Sequence, residues 1–346
     1  MFELKINSQR VLASKFFSNA DTETVLAAIP KGTERVVFLD TPATPAMMAT
    51  VKALVERDIS VIIRDHHDIS APRNPREAEI ARSADILRRM VGVDAMISTR
   101  EVYPACSTLV EVGEFLAKYT IIVADPDADG LTAAMKASYV TYMELDADAA
   151  ILDGARSEQT AENLSPLALL LVKGLATLPA FNADRPQVAE EAKRALFQSF
   201  ADAVSGDQNA LDILTAKVKD YEESVKVAES LATTLTTPIK GVAMVNAVGS
   251  PRYDLSILAQ KMEAIPGTMV TVVRKDNGPI AGKHGGVQIS LAVVKGKEIN
   301  LQDFLPAGFT SSPEAGIISN TTFLLHLSEK MWQTVVLPAM KARFNA

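Results

Sequence analysis

Three blocks of acidic residues and histidine stand where a short apolar run stops, and side chains of these types can hold a divalent cation. Asp40 follows Val36-Val37-Phe38-Leu39, and Asp65-His66-His67-Asp68 follows Val61-Ile62-Ile63-Arg64. The third block, Asp125-Pro126-Asp127-Ala128-Asp129-Gly130, follows Thr120-Ile121-Ile122-Val123-Ala124. Carboxylates mixed with imidazole suit manganese, or magnesium where imidazole contributes less. An Asp at a strand end is by itself an ordinary turn former or helix cap, and for Asp40 alone that reading is the stronger. The grouping is what points to metal: the chain has four histidines, and two are adjacent between two aspartates. The Asp-rich turn is not a helix–loop–helix calcium loop, because Lys136 stands where the bidentate Glu is needed. With one cysteine, Cys106, neither a thiolate zinc site nor an internal disulfide is available.

Such residues act together only if the fold gathers them. Between about residues 35 and 152, apolar runs alternate with helical patterns. The runs at 36–39, 59–63, 95–97, 120–123 and 149–152 lack polar alternation, as strands covered on both faces should. Helices are expected at 46–56, 75–90, 107–118 and 131–144. This is the strand–helix rhythm of an α/β fold, a doubly wound and mainly parallel sheet, in which ligands bind along the carboxyl edge of the strands. Five or six acids at one edge repel one another unless cations neutralise them. Helices are expected next at 166–178 and 187–203, then a long polar helix from about Leu211 to Leu235. A smaller α+β region comes after it, with strands near 242–248, 269–274 and 287–294, a helix at 256–264 and a last helix over 324–344. The expected division is a catalytic domain at 1–210, a helical connector at 211–237 and a substrate-binding C-terminal domain at 238–346.

Bulk properties narrow the class. With 48% hydrophobic and 22% charged residues, the composition is that of a globular protein. No run approaches the roughly 18 apolar residues of a membrane span, and no secretory signal pattern opens the chain, so a cytoplasmic setting is expected. A net charge of -7 argues against a protein that coats nucleic acid by bulk electrostatics.

The three blocks resemble the motifs of the DHH phosphoesterases, which include RecJ-like exonucleases, nanoRNase-like enzymes and inorganic pyrophosphatases. Arg64-Asp65-His66-His67 is similar to the motif that names the family, Val123–Ala134 to its first motif and Val36–Thr41 to its second. Pro104–Val110 is similar to the helix after the DHH motif in nanoRNase-like members, and Leu152–Glu158 to the segment after the first motif in RecJ-like members. The order differs: the second and DHH motifs precede the first, which looks like a circular permutation of the catalytic domain. Neighbouring chain ends make such a permutation physically tolerable.

The resemblance implies two divalent cations, manganese favoured and magnesium allowed. It makes Asp65, His66, Asp127 and Asp129 ligands and Asp40 the carboxylate shared by both ions. Asp125 and His67 become catalytic groups near the phosphate. A fourth-motif aspartate is expected at Asp202, with Asp153 and Asp184 as alternatives. The C-terminal region is only loosely similar to the family's substrate domain. Its strand at Gly286–Leu291 is followed by Ala292 and Val293 where an arginine is usual, and Lys283-His284-Gly285-Gly286 stands in for a glycine-rich histidine segment. Arg156, Arg252, Arg274, Lys283 and His284 are the expected substrate contacts. The implied activity is two-metal phosphodiester hydrolysis, as an exonuclease on single-stranded DNA or RNA or on short oligonucleotides. A small-molecule phosphodiesterase or phosphatase and a catalytically silent repair scaffold are the competing readings. Low basicity favours the former; the clustered acids speak against the latter.

Overall fold

The uniformly apolar runs do lie side by side. The computed structural model describes residues 1–72, 75–154, 163–179, 186–276, 287–294, 296–305, 317–320 and 324–344. They form two units, one of Met1–Leu178 with Glu190–Val218 and one of Pro179–Ala189 with Lys219–Ala346.

The first unit is built on strands β1 (Phe2–Ile6), β2 (Gln9–Ala13), β3 (Arg35–Leu39), β4 (Ser60–Asp65), β5 (Ala95–Ile97) and β6 (Thr120–Ala124). They are ordered β1-β2-β6-β3-β4-β5, with β1 antiparallel to β2 and every other neighbouring pair parallel. Alternate side chains of β3 and β6 enter two separate cores, as the two-residue period requires. Val36, Phe38, Ile121 and Val123 join α1 (Asn19–Ala28), α2 (Pro45–Val55) and α3 (Pro75–Val91) through Val25, Met47, Val51, Leu54 and Leu87. Val37, Leu39, Ile122 and Ala124 face α4 (Ala128–Ala137), α5 (Leu145–Gly154), α6 (Pro166–Ala176) and α7 (Pro186–Val204). There Leu131, Met135, Leu171, Phe197 and Phe200 close the core. Both faces are dry, so the strands need no polar side chains.

The order of strands decides where a site can form. From β3 the chain steps outward to β4 and β5, then returns so that β6 lands on the opposite side of β3. Connections leaving β3 and β6 therefore run to opposite faces, which opens a crevice at the carboxyl ends of these two strands. The backbone ties the edge together: Asp40 donates its N–H to Arg64 O (2.9 Å), and Asp125 donates to Leu39 O (3.3 Å).

Several elements differ from the sequence expectations. Residues 149–152 are helical, within α5, and not a strand. Ala149-Ala150 favours helix, and Leu145 and Ala149 bury one face four residues apart. The expected helix at 107–118 is a single 3₁₀ turn, Cys106–Leu109, followed by turns. The helix expected to run to 144 stops at Ala137, where Tyr139 takes a left-handed φ of 65°. Residues 1–34, to which the pattern assigned nothing, supply the β1–β2 hairpin and α1.

Helix α8 (Gln208–Ala232) runs through the position at which the two units divide. The second unit holds β7 (Thr236–Ile239), β8 (Val242–Asn246), α9 (Leu255–Glu263), β9 (Val270–Asp276), β10 (Val287–Val293), β11 (Ile317–Asn320) and β12 (Leu324–Ser328). Its sheet is ordered β11-β12-β10-β9-β8-β7, with β8 and β9 parallel. Leu324–Ser328, expected to open the last helix, is instead a strand paired with β10. Leu325 and Leu327 alternate into the core, and Ser328 then caps the following helix by accepting from Met331 N. Among the described residues no helix is long and apolar enough to cross a membrane.

Gly130, in the first turn of α4, shows how tightly that helix sits on the β6 turn. A Cβ there would lie 2.3 Å from Asp125 O and 3.0 Å from Asp125 N, both backbone atoms that cannot swing away. Gly130→Ala is expected to cost about 1–3 kcal/mol of stability through overpacking. Urea denaturation measures it, and an unchanged midpoint would refute so close an approach.

Candidate metal centre

Asp40 is the residue immediately after β3, and it turns the chain through a left-handed φ of 55°. Aspartate tolerates this conformation better than most residues, yet it remains a strained choice of order 1–3 kcal/mol. Its carboxylate is fully buried, and neither oxygen has a hydrogen-bond donor. His66 follows β4 and is equally buried. Its Nδ1 lies 2.8 Å from Tyr103 O, a pure acceptor, so Nδ1 carries the hydrogen and Nε2 is left with a lone pair. That lone pair faces Asp40 Oδ1 at 3.1 Å, Asp129 Oδ2 at 3.2 Å and Asp153 Oδ2 at 4.0 Å.

Asp129 lies in the first turn of α4. Its Oδ2 accepts from Cys106 N (2.9 Å), whereas Oδ1 is buried without a partner. Asp153 ends the α5 helix and accepts from Arg100 Nη2 (2.8 Å) through Oδ1. The ligand atoms thus fall into two overlapping groups, Asp40–His66–His67 and His66–Asp129–Asp153, each within 4.8 Å. The imidazole Nε2 has one lone pair, so His66 can serve one cation at a time.

Burial and mutual repulsion dominate the electrostatics. Burial, then Asp129, Asp127, Asp65 and Asp125, push the Asp40 carboxyl well above its ordinary value. Burial chiefly raises Asp129 to about 8, against the Cys106 N–H that lowers it. Asp125 is raised to about 7, first by burial and then by Asp127, with Lys15 opposing. Burial lowers His66, which keeps it neutral and its lone pair available. His67 is pulled down by burial, but its hydrogen bond to Asp65 carries it above its ordinary value. Both Asp40 oxygens, Asp129 Oδ1 and His66 Nε2 are buried without a hydrogen-bond partner, and the closest atoms of Asp40 and Asp129 lie 3.1 and 3.2 Å from that nitrogen. An oxygen-and-imidazole set of this kind fits a divalent cation such as manganese, and the Nδ1–H to carbonyl contact is the outer-shell bond that orients a metal-binding histidine.

The remaining expected site residues have other places. Asp65 is buried, but its carboxylate accepts from His67 Nδ1 (2.8 Å) and His67 N (3.3 Å), so it orients His67 and lies outside both ligand groups. Asp127 is the N-cap of α4, its Oδ1 accepting from Gly130 N at 2.9 Å. Asp125 is half-buried beside Asp127 and belongs to neither group. Asp202, the expected fourth aspartate, is not in the cluster: on α7 it accepts from Gln198 Nε2 (2.9 Å). Asp153, named as an alternative, lies near the end of α5 with its Oδ2 4.0 Å from His66 Nε2. Asp68 is ion-paired with Arg88. In the second unit, Arg274 pairs with Glu329 (2.9 Å) and bonds Asn246, and burial lowers the Arg252 guanidinium. Arg156, Asp184, Lys283 and His284 lie outside the described residues.

Sequence reasoning missed the loop after β5. It supplies Arg100 to His67 Nε2 (2.8 Å) and Asp153, Tyr103 O to His66 and Cys106 N to Asp129. Tyr103 and Cys106 act through backbone atoms, which leave no residue-type signal. A cleft of about 720 Å³ opens beside His66 and His67, its wall including Phe17, Thr44, Ile80 and Arg100.

No protein-family model matches the chain, and no curated protein sequence matches it. Among solved structures, it is similar to a pGpG-specific phosphodiesterase, PggH, from Vibrio cholerae, at 8% identity and a TM-score of 0.39, over 90% of this chain and 98% of that one. It is also similar to the DHH domain of a member of a ribosomal protein family, at 12% identity and a TM-score of 0.36, over 95% of this chain and 75% of that one. A likeness this loose assigns neither substrate nor metal to the chain.

The buried carboxylates have two measurable consequences. In EDTA the folded protein holds protons on Asp125 and Asp129 up to about pH 7 and 8, where an unfolded carboxyl at 3.8 has lost them. The native state therefore binds more protons than the unfolded one between those values, and stability falls as pH rises through that window. The melting temperature in EDTA is expected to drop between about pH 5 and 8, and stabilisation by added Mn²⁺ to grow over the same interval; a flat profile would argue against the coupling. Asp40→Asn replaces a buried carboxyl that burial and the neighbouring acids favour in its protonated, uncharged form. It should leave metal-free stability within about 1 kcal/mol while weakening Mn²⁺ binding by at least the ~100-fold that losing an outer-shell partner can cost, as titration calorimetry would read.

Proposed function

We propose that this protein is a divalent-metal-dependent phosphodiester hydrolase that acts on short oligonucleotides or the ends of single-stranded nucleic acid. The observation that carries the reading is the group of buried atoms without a hydrogen-bond partner, His66 Nε2, both Asp40 oxygens and Asp129 Oδ1, on side chains within 3.2 Å of that imidazole nitrogen. Asp40, His66, Asp129 and Asp153 would hold the cations, with His67 at the margin. When bound, such cations neutralise charge on phosphoryl oxygens and make water a nucleophile near neutral pH. The protein's own residues do the positioning. Tyr103 O fixes His66, Asp65 fixes His67 as its Nδ1–H form, and the Cys106 N–H holds one Asp129 oxygen. Burial of these groups excludes water and strengthens each electrostatic contact.

On this reading the chain is a DHH-type phosphoesterase with permuted motifs. The Asp-rich turn comes last in sequence, yet β6 places it next to Asp40 because the return from β5 inserts β6 between β2 and β3. A small-nucleotide substrate is the second reading. It is favoured by the cleft wall, where among the described lining residues Arg100 alone is a lysine or arginine and Glu77 and Glu101 are acidic. A long strand needs a positive track instead.

The test is hydrolysis of end-labelled DNA and RNA ladders and of a dinucleotide, in Mn²⁺ and in EDTA. Metal-dependent stepwise shortening would support an exonuclease, and cleavage of the dinucleotide alone would move the substrate to the second reading. His66→Ala and Asp129→Ala are each expected to lower turnover by about 1,000-fold or more, the scale on which loss of an electrostatic stabiliser acts. Activity that survives both changes, or persists in EDTA, would end the proposal.

A further inference from the structure

Arg100 joins the two ligand groups. Its Nη2 donates to His67 Nε2 and to Asp153 Oδ1, each at 2.8 Å, so one nitrogen is bound to a member of each group. The side chain is nevertheless 51% exposed and forms part of the cleft wall beside His66 and His67. Among the described residues no acceptor takes its Nη1 or Nε hydrogens. A guanidinium carries five N–H donors in a rigid fork suited to two oxygens of one phosphate. Here the donors on Nη2 face the protein, and those on Nη1 and Nε remain for the cleft.

The surrounding charge gives this arrangement its significance. Six aspartates (40, 65, 125, 127, 129 and 153) crowd the centre, and Glu77 and Glu101 line the cleft. An approaching anion needs a fixed cation in the wall as well as any bound ion. We propose that Arg100 is the phosphate-recognition residue of this cleft, gripping two non-bridging oxygens of a single phosphate while its third nitrogen keeps His67 and Asp153 in register. A single fork in a wall that also holds Asp68, Glu77 and Glu101 selects one phosphate group at a time, so the site takes an isolated phosphodiester or a chain terminus rather than the continuous backbone of a long strand. The inference rests on the phosphohydrolase reading for its substrate but on Arg100's own geometry for the anion site.

The experiment is binding of inorganic phosphate to the full chain at saturating Mn²⁺, by titration calorimetry, for the unmodified protein, Arg100→Lys and Arg100→Gln. Loss of two charge-assisted hydrogen bonds is expected to weaken phosphate binding by about 10- to 100-fold in Arg100→Gln. Arg100→Lys, which keeps charge without the fork, should fall between. Thermal melts and a separate Mn²⁺ titration accompany each variant to establish that it is folded and metal-loaded. Folded, loaded variants with unchanged phosphate affinity would overturn the proposal and leave Arg100 only a positioning residue for His67 and Asp153. In hydrolysis of a dinucleotide, the loss should appear in KM at least as strongly as in kcat. A protein that binds phosphate through Arg100 yet hydrolyses no phosphodiester would sink the hydrolase reading while leaving the anion site standing.

Discussion

The lone pair of His66 Nε2 faces carboxylate oxygens of Asp40 and Asp129 at 3.1 and 3.2 Å in a place that water does not reach. These acceptors repel one another, only Asp129 Oδ2 being held by a donor, Cys106 N, and at low local dielectric the repulsion is severe. Two responses are open to the protein: the acids can take up protons, or a cation can enter. The raised carboxyls of Asp40 and Asp129 express the first, and the surviving lone pair on a neutral His66 leaves room for the second. On the proposed reading the cluster balances protons against a cation, and much of the nearby structure holds its groups in place.

Holding it takes rigid backbone. Asp40 leaves β3 in a left-handed conformation, Asp129 sits on a helix whose first turn touches the Asp125 backbone, and His66 comes directly after β4. Asp40 and His66 directly follow buried strands and Asp129 opens the helix after another, so their positions inherit the precision of the sheet. The loop after β5 then locks the side chains from outside, through Tyr103 O, Cys106 N and Arg100. In place of the helix expected at 107–118, the 3₁₀ turn at Cys106–Leu109 begins with an N–H that donates to Asp129 Oδ2.

The acids are also divided by task. Asp65 and Asp127 lie among the clustered carboxylates, yet one holds a histidine tautomer and the other caps a helix. In a motif such acids look alike, whereas in the structure their oxygens hold different donors: those of Asp40 have none, one of Asp129 accepts from Cys106 N, one of Asp153 from Arg100, one of Asp127 from Gly130 N, and those of Asp65 accept from His67.

The chemistry available, and the edge on which it would stand, were legible in the sequence alone. Apolar strand runs without alternation can only be buried on both faces, and residues that come after parallel strands must share one edge. Asp40, His66 and Asp129 could be read for that reason. The tertiary arrangement supplied what no local pattern carries: the insertion of β6 between β2 and β3, and which acids lie near His66. Asp202 and Asp153 both lie in helices, and their short-range patterns do not differ in any way that reports distance from His66. In the fold Asp153 lies 4.0 Å from His66 Nε2 and accepts from Arg100, whereas Asp202 accepts from Gln198 on α7. Likewise, the donor to Asp129 and the acceptor for His66 are backbone atoms, which every residue possesses, so only the path of the chain could select them.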